Sequence, residues 1–218
     1  MSILLALAAL LIVALVIKIG RVAPSKATAN AHATMAMRAP HAPMDLFVDS
    51  AHSWIRMMAD GTLRIGLDAF LGEALGRVDA VRLPEEGTSV SRGDTLFTIK
   101  MGDKILKIPS PVNGVISTRN TLAIEAPATV TSDPYGLGWV LAIRSEDQKE
   151  ALAPLHVGRG ALGFLRQETT RLADFFTMRA SQTSAAFLGD GGLPQRGAVG
   201  TLDDEGIAAF AEAFLAQR

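Results

Sequence analysis

Hydrophobic positions fall into three regimes along the chain. The first is an unbroken apolar run from Ile3 through Leu10 to Ile17, with no proline or glycine inside it. With Lys18 able to snorkel and Ile19 and Gly20 beyond, it approaches the roughly 20 residues a bilayer requires. It predicts a transmembrane helix over residues 1–21. A cleaved signal peptide is the rival reading, with "ATANAHA" downstream as its small-residue cleavage site, but no basic segment precedes Ile3. A core helix fits less well, because the run is apolar all round. Lys18, Arg21, Lys26 and Arg38 all follow the run and no charged side chain precedes it. Positive charge stays on the cytoplasmic side. The expectation is a single-pass protein of the inner (cytoplasmic) membrane, N-terminus outside and main body in the cytoplasm.

Residues 22–49 are rich in Ala and Pro and hold no sustained period. They read as a linker with one short helix around Ala29–Met37. Met35, Met37, Met44, Leu46 and Phe47 are more apolar than a free tether needs, so this linker is expected to pack on something.

The second regime, residues 50–146, consists of short alternating runs. "TLRIGL", "DAVRL", "TLFTIK", "KILKI", "GVIST" and "WVLAIR" read as strands. Turn signals separate them, among them Asp60-Gly61, Arg92-Gly93-Asp94, Met101-Gly102-Asp103 and Asp133-Pro134. A short helix from Asp68 to Leu75 carries Asp68 as its cap. The third regime, residues 147–218, is helical. One helix spans Gly158–Ala180 with Leu162, Leu165, Leu172, Phe175 and Phe176 on one side. A Gly-rich loop, "GDGGLPQRGAVG", follows. A last helix, Asp203–Gln217, sets Ile207, Phe210, Ala211, Phe214 and Leu215 on one face. A small β domain has little spare core, so Leu165, Phe175, Phe176, Phe210 and Phe214 are read as a docking face for another subunit.

Composition removes several functions. A net charge of −1 over 218 residues gives no basic excess for a nucleic-acid partner. No cysteine is present, which excludes disulfides, thiolate metal sites and cysteine nucleophiles. His32, His41, His52 and His156 lack metal-ligand spacing and read as solvated or capping residues. The Gly-rich loop lacks the Gly-Lys-Ser/Thr of a phosphate loop. Carboxylates such as Glu85, Glu86, Asp94 and Asp103 lie in turns and are explained there. The chain is expected to be no enzyme and to hold no metal.

Within the second regime, "ALGRVDAVRLPEEG", "SPVNGVI" and "DPYGLGWVLAI" resemble the glycine cleavage system H protein, in order from about His52 to Ser145. The resemblance implies a mainly β, lipoyl-domain-like barrel-sandwich hybrid: two small sheets related by a pseudo-twofold, with a lipoyl-lysine on a hairpin. That fold is expected between an N-terminal transmembrane helix and C-terminal helices. Counting back from Ser110-Pro111, the family's lipoyl-lysine falls on Asp103 and its preceding glutamate on Lys100; Lys104 comes one place late. "Asp103-Lys104" is also similar to the tip of acyltransferase lipoyl domains, but a one-residue slip turns every following side chain to the other face.

Two main readings result. In the first, the domain has lost its arm, holds no cofactor, and docks as an accessory subunit of a larger membrane complex of an energy-transducing kind, respiratory or photosynthetic. The bilayer and the other subunits are then its partners. In the second, Lys104 bears lipoate, with biotin the lesser choice, and the chain is a membrane-tethered carrier. A third, a membrane-fusion-type transport adaptor, fits less well, because no coiled coil interrupts Lys100–Ile108.

Overall fold

A computed structural model describes residues 36–180 and 194–217. The span at Ile3, Leu10 and Ile17, and the first half of the linker, residues 22–35, lie outside the described residues. Among the described residues no helix is long and apolar enough to cross a membrane.

Among the described residues, ten strands form two antiparallel sheets. The larger has the order β10 (His156–Val157), β1 (Phe47–Val48), β2 (Ser53–Met57), β3 (Leu63–Leu67), β9 (Trp139–Arg144), β8 (Gly114–Arg119), β5 (Ser89–Val90). The smaller has the order β4 (Ala80–Arg82), β6 (Thr95–Met101), β7 (Lys104–Pro109). The helices are α1 (Ala69–Leu75), α2 (Thr121–Glu125), α3 (Thr129–Ser132), α4 (Gln148–Leu152), α5 (Arg159–Ala180) and α6 (Asp204–Phe214). The predicted strands are present. The strand β2, the short helices α2 to α4 and the two-residue strands β1, β5 and β10 are not among the predicted elements; the shortest of these show no period.

Where the H-protein resemblance implies two small sheets, the larger one here has seven strands. Part of the excess comes from the flanks. β1 lies in the predicted linker and β10 in the predicted helical tail, and they pair with each other through Phe47↔Val157 and Val48↔His156. The boundaries at 49 and 147 therefore do not separate packing units. Met37 is 6% exposed and its amide donates to the Pro194 carbonyl at 3.0 Å. Ala36 bridges Gln195 in extended form, so the helix expected around Ala29–Met37 does not include its last two residues.

The two long helices close the core. Asp203 caps α6 by accepting from the Gly206 amide at 2.8 Å, and α6 packs against β7. Leu165, Phe176, Phe210 and Phe214 are 0, 0, 0 and 1% exposed. Phe175 is half-buried and packs edge-on against Phe176, Phe210 and Phe214. These five side chains, expected as a docking face for another subunit, instead cover their own domain. Apolar burial is non-directional, and the nearest cover for an open sheet face is the tail of the same chain.

One close contact fixes the sheet centre. Gly66 lies under Trp54, whose ring would stand 2.7 Å from any Cβ placed there. Trp54 is fully buried and donates its indole N–H to the Pro134 carbonyl at 2.9 Å.

Candidate functional site

The hairpin of β6 and β7 turns through two residues, Gly102 and Asp103, between the paired Met101 and Lys104. Gly102 takes φ +58 at the first turn position, a conformation glycine adopts without a Cβ penalty. Its amide donates to Asp79 Oδ2 at 2.6 Å, and the Asp79 amide donates back to the Lys100 carbonyl at 2.8 Å. The Gly102 hydrogen bond, with the Arg77 guanidinium 2.7 Å away, holds the Asp79 carboxyl below the ordinary carboxylate range. The tip is thus anchored to the strand beside it.

The register decides where each lysine points. Ile99, Met101, Leu106 and Ile108 are buried, while Lys100, Ile105 and Lys107 are exposed. Lys104 pairs with Met101 and shares its face with Leu106 and Ile108. It is half-buried and leaves the hairpin on the inner side, at the last rung before the turn. The exposed apex residues are Gly102 and Asp103. Lipoate attaches by an amide to a primary amine. Asp103 at the apex is a carboxylate and does not fit that chemistry. Lys104 is the amine next to the turn, and its four-carbon stem starts at the edge of the inner face.

A second cluster was not anticipated from the sequence. His52 is fully buried and takes φ +65, the one non-glycine residue among those described in that region. Its amide donates to the Asp49 carbonyl at 3.0 Å, and this tight turn drives the ring into the core. His52 Nδ1 lies 2.8 Å from Asp68 Oδ2, and Nε2 lies 3.6 Å from Glu168 Oε2. Phe70 and Phe164 flank the ring at centroid distances of 4.4 and 5.4 Å. Arg171 pairs with Glu168 and donates to the Ala213 carbonyl at 2.9 Å. Burial alone pulls the His52 pKa down; Asp68 and then Glu168 more than reverse this and raise it to about 9. Burial pushes Glu168 up, and the His52 and Arg171 cations bring it below its ordinary value. His52 is therefore a buried imidazolium between two carboxylates, not the solvated or capping histidine expected. The sequence signal was weak: "DSAHS" shows a turn and Asp68 a cap, but nothing local joins them to Glu168.

No group of three His, Asp or Glu side chains among the described residues is arranged to hold a metal ion. One open concavity of about 610 Å³ has Arg92, Asn113, Arg144 and Glu150 along its wall.

The family model "Glycine cleavage H-protein" matches residues 46–166, more than half of the chain. The glycine cleavage system H protein of Rubrobacter xylanophilus is 36% identical over 117 residues, spanning 54% of this chain and 92% of that one. The Mycobacterium avium protein of the same name is 35% identical over 105 residues, spanning 48% and 80%. A crystal structure of a glycine cleavage system H protein from Mycobacterium marinum aligns with 30% identity and a TM-score of 0.46, over 52% of this chain and 98% of that one. The family match over residues 46–166, with 36% identity across nearly the whole of a relative, shows that this chain belongs to the glycine cleavage H-protein family.

Proposed function

We propose that the chain is a non-catalytic carrier-type module whose β6–β7 hairpin is the working element and whose Lys104 takes a lipoyl group. The family match carries this reading, because it covers the hairpin and both halves of the β domain around it. When bound, lipoate would supply a dithiolane that exchanges thiols and carries a group between enzymes. The protein's own part is to hold the tip rigid through Asp79 and Gly102, and to offer one amine beside the turn. No nucleophile or acid–base pair is assigned to it. The test is the intact mass of the chain from its native source, with peptide mapping across Gly93–Ile116. Lipoate on Lys104, lost in Lys104→Arg, supports the carrier.

A second reading has its own observation: the apex residue is Asp103, and Lys104 leaves from the inner face. In this reading the hairpin is unacylated and the domain serves as a docking subunit of a membrane assembly, held there by the apolar run at Ile3–Ile17. An unmodified tip peptide, together with a defined set of membrane proteins at fixed stoichiometry, is its expected result. The topology, N-terminus outside and main body in the cytoplasm, belongs to the same proposal. It is tested by protease access to residues after 36 in sealed vesicles of known orientation.

A further inference from the structure

The outer face of the smaller sheet has an unusual charge pattern. Its ladder sets Arg82, Thr98 and Lys107 side by side on one rung. The neighbouring outward rung is Ala80, Lys100 and Ile105. Burial confirms the direction: Arg82, Lys100, Ile105 and Lys107 are exposed, whereas Val81, Ile99 and Leu106 are buried. Three cations thus stand on two adjacent rungs, with strands about 4.8 Å apart, and no carboxylate lies on either rung. The chain as a whole has 21 Lys and Arg against 22 Asp and Glu, so this face is segregated from the average surface. Among the described residues none of the three cations has an ion-pair partner within 4.0 Å. Asp79, at the margin of the face and acting on Lys100, is already engaged by the Gly102 amide and the Arg77 guanidinium. Ile105 stands 53% exposed at the β7 edge of this face, an apolar side chain next to Lys100 on its rung and Lys107 on its strand.

We propose that this face, Arg82, Lys100, Lys107 and Ile105, docks an acidic patch on a partner protein. Charge complementarity names the occupant. A second copy would bring the same three cations against these and repel. An anionic bilayer is disfavoured by the apex, because Asp103 is exposed at the hairpin end and would meet the membrane first. The partner patch is therefore expected to present carboxylates with a shallow apolar seat for Ile105 at one edge. The inference stands whether or not Lys104 is acylated, because the face lies on the opposite side of the hairpin from Lys104.

The test places a photo-cross-linker on the face. The full chain carrying Thr98→p-benzoylphenylalanine is expressed in its native cells, irradiated, and its adducts are mapped by mass spectrometry. The expected result is one dominant protein adduct whose cross-linked segment is rich in Asp and Glu. Its yield should fall about tenfold or more in Lys100→Glu/Lys107→Glu, as removal of about 1.4 kcal/mol of charge pairing requires. It should persist in Lys100→Arg/Lys107→Arg. If the reversed chain folds poorly by circular dichroism, Lys100→Gln/Lys107→Gln is expected to show the same fall. An adduct to lipid, an adduct to a second copy, a yield indifferent to charge, or no adduct at all would each overturn the proposal. A failed carrier reading would instead show only as an unmodified Gly93–Ile116 peptide.

Discussion

The hairpin tip and the His52 cluster both place charged side chains beside a turn that needs φ > 0. They differ in what the charges cost. At the tip, Gly102 supplies the turn freely, and Asp103 and Lys100 remain in water, where charges cost nothing and contribute little. At His52 a non-glycine residue takes φ +65 and a cation is buried completely. Such backbone strain costs about 1–3 kcal/mol, and the buried charge persists only because two carboxylates face it. The tip is therefore the region that tolerates change at little cost, while the buried cluster welds the β domain to the long helix α5.

The largest expected effect breaks the weld. Asp68→Ala removes the partner of a buried imidazolium and the cap of α1 together. Urea unfolding should show a loss of about 3–5 kcal/mol, whereas Asp103→Ala at the tip should stay within about 0.5 kcal/mol. A loss from Asp68→Ala no larger than that from Asp103→Ala would erase the contrast.

Next comes the sheet centre. Gly66→Ala forces a methyl against the rigid Trp54 ring at 2.7 Å. Overpacking of this kind costs about 1–3 kcal/mol. Red-shifted tryptophan fluorescence should accompany the loss, since Trp54 must move toward solvent.

The pH dependence has a fixed sign. His52 binds its proton more tightly folded, at about 9, than its ordinary 6.5. Its contribution is complete below about 6.5 and is lost as pH rises through 9. Glu168, held below its ordinary value of 4.5, contributes above that value and is lost as pH falls. Thermal unfolding should therefore show Tm falling between pH 6.5 and 9, and this fall should flatten in Glu168→Gln.

The smallest effect on stability sharpens the tip. Asp103→Lys restores an amine at the apex without touching the core. Tm should be unchanged, while incubation with a lipoyl ligase should add lipoate to the apex position faster than to Lys104. Equal rates at the two positions would show that the inner-face origin of Lys104 is no barrier.

Much of the fold was legible locally. The alternation in "TLFTIK" and "KILKI" marked β6 and β7, Met101-Gly102-Asp103 marked their turn, and Asp68 and Asp203 marked helix starts. The strings around "ALGRVDAVRLPEEG" and "DPYGLGW" carried the family. The docking reading of Leu165, Phe176, Phe210 and Phe214 failed for a physical reason. A helical period shows which face is apolar but not what covers it, and here the β domain does.

The sequence by itself determined the longer strands and helices, the turn chemistry and the adjacency of Asp103 and Lys104 at the hairpin turn, because these depend on neighbours a few residues apart. Only the tertiary structure decided that β1 pairs with β10, that Lys104 shares the inner face with Leu106, and that His52 lies between Asp68 and Glu168. Those outcomes depend on which distant surfaces exclude water together. That is a property of the closed core and not of any local stretch.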